Sequence, residues 1–198
     1  MIETIHQPEF QEFSKIARLS RDCVVTEKID GTNAQVFVGE DGAVRAGSRN
    51  RWLTVDADNF GFAAWVADHE DELRALGPGR HFGEWWGAGI QRRYGLDHRR
   101  FSLFNVARWL DTHTNEQPAS EKQSYAPACC HVVPVLYVGL FDTARIEATQ
   151  TLLGATGSKA APGFMDPEGV VIWHEAARQL FKKTLVKDEA PKSASRAA

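Results

Sequence analysis

Three groups of residues in this chain have types and spacing that could do chemistry. The first is Glu27-Lys28-Ile29-Asp30-Gly31-Thr32-Asn33, a lysine in a glycine-containing turn flanked by polar side chains. Alone, a KxDG sequence is weak, because Asp-Gly bends and turn lysines are common hairpin corners. The second is a spread of acids, cations and an aromatic further along: Arg49, Glu84, Phe104, Glu168, Lys182 and Lys183. The third is Cys129-Cys130-His131, residue types that ligate metals; a zinc site needs a second ligand pair, and none stands at such spacing. The three cysteines make an odd count without CxxC spacing, so a disulfide framework is not expected.

The positions of these residues depend on the elements that carry them. Phe10, Phe13, Ile16 and Leu19 recur at three-residue intervals, which predicts a short amphipathic helix over Pro8 to Leu19. Val24-Val25, Ala34 to Val38 and Ala43 to Ala46 read as strands, with Glu40-Asp41-Gly42 turning the last two. Lys28 to Asn33 then lies between strands. Asp58 to Leu76 has helical spacing with Gly77-Pro78-Gly79 as its stop, followed by a strand over Arg80 to Trp85. Phe101 to Arg108 and His131 to Leu140 read as strands around a polar loop at Asp111 to Ala128. Asp142 caps a helix to about Leu153, and Glu168 to His174 with Leu180 to Val186 form a final strand pair. The whole is α+β with mostly antiparallel strands.

Composition bounds the function classes. The 198 residues are 43% apolar and 25% charged, an ordinary globular profile that predicts one domain. No apolar run reaches the length of a membrane span and the N-terminus lacks a signal-peptide pattern, so a cytoplasmic protein is expected. The net charge of −3 argues against a protein that coats nucleic acid. Local clusters at Arg45, Arg49 and Arg51, and at Arg92, Arg93, Arg99 and Arg100, still allow a basic groove on a mildly acidic body.

In their order and separations, the pieces resemble the motif set of the covalent nucleotidyltransferases: DNA ligases, RNA ligases and mRNA capping enzymes. The resemblance narrows to the ATP-dependent RNA ligase family through Lys28-Ile29-Asp30-Gly31-Thr32-Asn33, Gly47-Ser48-Arg49, Gly83-Glu84-Trp85-Trp86-Gly87, Ala161-Pro162-Gly163-Phe164 and Pro167-Glu168-Gly169-Val170-Val171. It spans Val24 to Lys192. It implies an antiparallel-sheet, ATP-grasp-like nucleotidyltransferase domain over residues 1–187, with residues 188–198 a mobile tail and no OB-fold or other C-terminal domain.

The resemblance also implies a chemistry. Lys28 takes AMP from ATP, passes it to a nucleic-acid 5′-phosphate, and a 3′-hydroxyl then displaces it, with RNA favoured over DNA. A lysine attacking the α-phosphate must be neutral against an ordinary pKa of about 10.4. Lys182 or Lys183 folding back beside it would favour the free amine and draw charge off the triphosphate. Glu168 is the candidate ligand, direct or through water, for Mg²⁺ or Mn²⁺. Glu84 would hold a ribose hydroxyl, Arg49 a phosphate or the ribose, and Phe104 would stack on adenine. Glu27, Ile29 and Asn33 flank the nucleophile as nucleotide contacts, with Glu27 and Asn33 reading the base or orienting a phosphate. Arg92 and Arg93, near Trp85 and Trp86, are candidate nucleic-acid contacts.

Two departures from the family pattern bear on this. Asn105 stands where many relatives have aspartate. Lys182 and Lys183 are adjacent, so on a strand they point to opposite faces and only one can face the nucleotide, Lys182 being favoured. With 27 residues ahead of Lys28, ATP is expected as donor instead of NAD. A partner protein or domain could supply substrate binding. The alternatives are a DNA nick-sealing ligase of the same superfamily and a non-catalytic nucleotide or RNA-end binding module.

Overall fold

The computed structural model describes residues 9–186 and 188. Its strands are β1 (Asp22–Lys28), β2 (Thr32–Val38), β3 (Val44–Ser48), β4 (Gly79–Gly87), β5 (Arg99–Leu103), β6 (Trp109–Leu110), β7 (Ser124–Tyr125), β8 (His131–Val132), β9 (Val135–Leu140), β10 (Gly169–His174) and β11 (Gln179–Thr184). Helices α1 (Phe62–Asp68) and α2 (Glu70–Leu73) precede β4, and α3 (Thr143–Thr156) precedes β10. One sheet has the order β11-β10-β1-β9 and a second the order β3-β2-β4-β5-β8. Among the described residues β6 and β7 form a third, two-stranded sheet, and neighbours are antiparallel except β5 with β8 and β6 with β7, so the fold is the antiparallel-rich α+β arrangement expected.

Each sheet buries one face under helix. In the five-stranded sheet, Ala34, Val36 and Val38 pack on Phe62, Ala63 and Val66 of α1, with Trp85 and Phe101 between. The ring centres of Phe62 lie 5.3 Å from Trp85 and 5.2 Å from Phe101, within the range of favourable aromatic pairing. In the four-stranded sheet, Cys23, Val25, Val170 and Ile172 pack on Ile146 and Leu153 of α3. A third cluster of Ile29, Trp86, Tyr94, Val133 and Ala161 ties the sheets together where the chain crosses between them. Among the described residues no helix is long and apolar enough to cross a membrane.

Several elements depart from the sequence-based expectation. Residues 9–18 form no helix, and Phe10, Phe13, Ile16 and Leu19 are 89%, 96%, 97% and 69% exposed. A helix of that length needs an apolar face buried against something, and among the described residues these side chains are exposed. The Asp58–Leu76 helix starts only at Phe62, where the Asp58 carboxylate accepts from Ala63 N at 2.7 Å and Ala64 N at 3.1 Å. It breaks at His69, whose ring nitrogen Nδ1 lies 2.8 Å from the Trp65 carbonyl. The strand expected at Phe101 to Arg108 ends at Leu103.

The strand expected over His131 to Leu140 is two strands in different sheets, β8 beside β5 and β9 beside β1. Val133 N donates to Leu103 O at 3.0 Å, and Pro134 has no N–H to continue that ladder. Its carbonyl instead accepts from Glu27 N on β1 at 2.9 Å, which transfers the chain to the other sheet. The cap at Asp142 is as expected, its carboxylate accepting from Ala144 N and Arg145 N. The tail expected at 188–198 lies outside the described residues apart from Asp188.

Candidate active site

The turn from Lys28 to Thr32 joins the last residue of β1 to the first of β2, and so joins the two sheets. It is fixed on three sides. Ile29 is buried against the Trp86–Tyr94 cluster. Asp30 N donates to the Tyr94 hydroxyl oxygen at 2.7 Å, and the Asp30 carboxylate accepts from Arg92 Nε at 3.1 Å. Arg92 also pairs with Asp166 at 2.6 Å, pinning the turn to the segment ahead of Glu168. Gly31 lies so close to β4 that a β-carbon would sit 2.5 Å from Trp85 O and 2.9 Å from Glu84 Cγ, so only glycine fits.

Lys28 and Glu168 meet across 140 residues of sequence, with Nζ 2.6 Å from Oε2. The register accounts for this: Lys28 pairs with Gly169 in the β1–β10 ladder, and Glu168 is the residue before it. Gly169 lets that strand end close up, since a β-carbon there would stand 2.2 Å from the Lys183 carbonyl. Both side chains are largely buried, at 16% and 8% exposed, so the pair is well shielded from water.

On the second sheet, Asn33 and Glu84 are directly paired across β2 and β4. The Glu84 carboxylate accepts from Gly31 N at 3.1 Å and from Asn33 Nδ2 at 3.2 Å. Burial raises its pKa from 4.5 to about 7, against the opposing pull of Lys28 and the Gly31 amide. The geometry therefore places one amine, one carboxylate paired to it and one readily protonated carboxyl around a glycine turn. Such a set can present a nucleophilic nitrogen and bind a hydroxyl-bearing, anionic ligand.

The sequence profile described as RNA ligase matches residues 21–187. The chain belongs to the RNA ligase family. A comparison with curated proteins gave no match. Among solved structures, a Naegleria gruberi RNA ligase variant with AMP and Mn superposes with TM-score 0.59 at 20% identity, covering 84% of this chain and 50% of that one. A second variant of that ligase, with ATP and Mn, gives 0.57 at 20% over 84% and 50%. An apo variant gives 0.56 at 19% over 82% and 49%. The chain thus shares the nucleotidyltransferase fold of these ligases and spans about half their length.

Within this RNA ligase domain, alternation along the four-stranded sheet sorts the remaining candidates. Lys182 pairs with Val171, which pairs with Thr26, so Lys182 shares a face with Thr26 and Lys28. Lys183 pairs with Val170 on the helix-covered face and binds Glu147 of α3 at 3.2 Å. The structure brings Lys182 to the Lys28 face and places Lys183 on the opposite, helix-covered face. Phe104 continues the β5 ladder, its N–H donating to Phe82 O at 3.0 Å. It shares the Glu84 face and is 42% exposed. Arg49 is exposed directly after β3, whose last residue, Ser48, pairs with Ala34 next to Asn33.

Three expected contacts have other work in the fold. The Glu27 carboxylate, 1% exposed on the helix side, accepts from Ser158 Oγ at 2.6 Å, Lys159 N at 2.7 Å and Ala160 N at 3.0 Å, so its oxygens are filled from within. The Ile29 side chain is core. Arg92 is a bridge between Asp30 and Asp166, leaving Arg93, exposed and at φ 60°, as the outward-facing arginine of that pair. Sequence reasoning missed Tyr94 and Asp166, which hold the turn. Neither carries a local signature, and only their three-dimensional neighbours reveal the role.

Proposed function

We propose that this domain performs the nucleotidyl-transfer chemistry of an ATP-dependent RNA ligase, through a covalent AMP on Lys28. The carrying observation is the 2.6 Å contact of Lys28 Nζ with Glu168, beside a second carboxyl at Glu84 on the facing sheet. A lysine serving only stability gains little from burial in such a pair, whereas a nucleophile needs a proton acceptor at hand. In the first step the Nζ–phosphorus bond forms, the bond from the α-phosphorus to the bridging oxygen breaks, and pyrophosphate leaves. Glu168 is the acceptor for the lysine proton.

Lys182, on the Lys28 face, neutralises charge building on the phosphates. Glu84 with Asn33 holds the ribose end, Phe104 covers the adenine face and Arg49 takes a phosphate or the ribose. Glu168 uses Oε2 on Lys28, leaving Oε1 as a hard oxygen donor that would suit Mg²⁺ or Mn²⁺. Such an ion supplies charge neutralisation at the leaving group. AMP then passes to a 5′-phosphate and a 3′-hydroxyl displaces it. RNA is the favoured strand, with a partner protein or further domain adding to its binding and the cytoplasm as the place of action.

The test is incubation with α-labelled ATP and magnesium. Protein-bound label that is acid-labile, base-stable and lost in Lys28→Ala is expected. Label that persists in Lys28→Ala removes Lys28 from the mechanism. ATP binding without pyrophosphate release identifies a non-catalytic binding module, and matched RNA and DNA nicks decide the strand.

A further inference from the structure

A second cluster of metal-ligating side chains lies in the excursion between β6 and β8, which the adenylation chemistry does not use. Asp111 follows β6, His113 is two residues on, and His131 opens β8 at the edge of the five-stranded sheet. The loop folds back so that one ligand atom from each lies within 4.8 Å of the other two. The imidazoles face each other with ring centres 4.4 Å apart and planes inclined by 31°. The cluster shares no residue with Lys28, Glu84 or Glu168.

The hydrogen bonding of the His113 ring is that of a metal ligand. His113 Nε2 lies 2.9 Å from Ala128 O, and a carbonyl oxygen can only accept, so the proton is on Nε2 and Nδ1 keeps a lone pair. His131 Nδ1 lies 3.1 Å from Asp111 Oδ2, already about the separation of two ligand atoms on one tetrahedral zinc. Ligating histidines characteristically donate their other ring N–H to a carbonyl or carboxylate, as His113 does to Ala128. Asp111 is itself positioned, one oxygen accepting from His113 N at 2.8 Å and the other from Val132 N at 3.0 Å.

We propose that Asp111, His113 and His131 bind a zinc ion that fastens the 111–131 excursion onto the sheet edge. Two imidazoles and a carboxylate suit Zn²⁺, while Mg²⁺ prefers oxygen ligands throughout, so this site is chemically distinct from the nucleotide's metal. Tetrahedral zinc draws its ligand atoms to about 3.3 Å of one another. The exposed His113 ring can rotate to close that gap. Three protein ligands leave the fourth position to water.

The experiment uses the full chain without a histidine tag, stripped with chelator and titrated with Zn²⁺, reading bound metal by elemental analysis and loop protection by limited proteolysis. One zinc per chain is expected, with cleavage within residues 114–128 slowed on binding. His113→Ala, at an exposed position that leaves the fold intact, and His131→Asn should each weaken zinc binding about tenfold or more. Lys28→Ala should bind zinc as the unaltered chain does, which separates this site from the adenylation reading. Absence of stoichiometric zinc, or equal affinity in His113→Ala, overturns the proposal and leaves Asp111 as a purely hydrogen-bonded loop anchor.

Discussion

The two faces of the four-stranded sheet carry charged residues from the same two motifs, yet put them to opposite uses. Against α3, Glu27 is closed off by the Ser158–Ala160 segment and Lys183 by Glu147. One residue along each strand, on the other face, Lys28 meets Glu168, and Lys182 shares that face. The strand period of two divides each motif into a half that holds helix to sheet and a half free for chemistry. Membership of a motif therefore does not by itself put a residue on the Lys28 face; its parity on the strand does.

The sharpest way to break this comparison is at β1. Lys28→Ala should abolish covalent adenylate formation altogether, because among the described residues Lys28 is the amine paired with Glu168, whereas Glu27→Ala should still form adenylate in proportion to its folded fraction. Next is β11. Lys182→Ala should slow adenylation a hundredfold or more, the usual cost of removing a group that stabilises transition-state charge. Lys183→Ala should change it by less than about twofold, since a partly exposed ion pair contributes at most about 1 kcal/mol to stability. Equal losses for both, measured under single turnover, would show that parity does not decide the role.

Much of this division was legible in the sequence, and the failures have physical causes. Strand alternation alone separates Lys182 from Lys183, because adjacent strand residues must diverge. The Lys28, Glu84 and Glu168 set followed from ordered motifs. What sequence could not supply were partners distant along the chain, such as Ser158 for Glu27, 131 residues away, and Asp166 for Arg92. Local pattern also failed where tertiary context decides. The Phe10–Leu19 periodicity leaves its apolar side chains exposed among the described residues, and the chain changes sheets at Pro134 within an otherwise continuous β-branched run.

The helix-side anchor should show itself in stability. Glu27→Ala strands the Ser158 hydroxyl and the Lys159 and Ala160 amides in a buried position, an expected loss of roughly 2 kcal/mol in chemical denaturation. Glu27→Gln should recover part of it, because its amide oxygen still accepts. A Glu27→Ala chain as stable as the parent would mean that water satisfies these donors.

The smallest expected effect tests the cleft side through Glu84. Its carboxyl is raised from 4.5 to about 7, so between those values the folded chain holds a proton that the unfolded chain has released. The stability this contributes is complete below pH 4.5 and is lost as pH rises through about 7. Between about pH 6 and 8 the loss from this group is about 1.4 kcal/mol. Glu84→Gln, neutral throughout, should remove that part of the pH dependence from denaturation curves of the nucleotide-free protein. Glu27, also raised by burial, titrates in the same direction and remains in both chains, so the difference between them isolates Glu84. Parallel pH profiles for the two chains would place the Glu84 carboxyl in water.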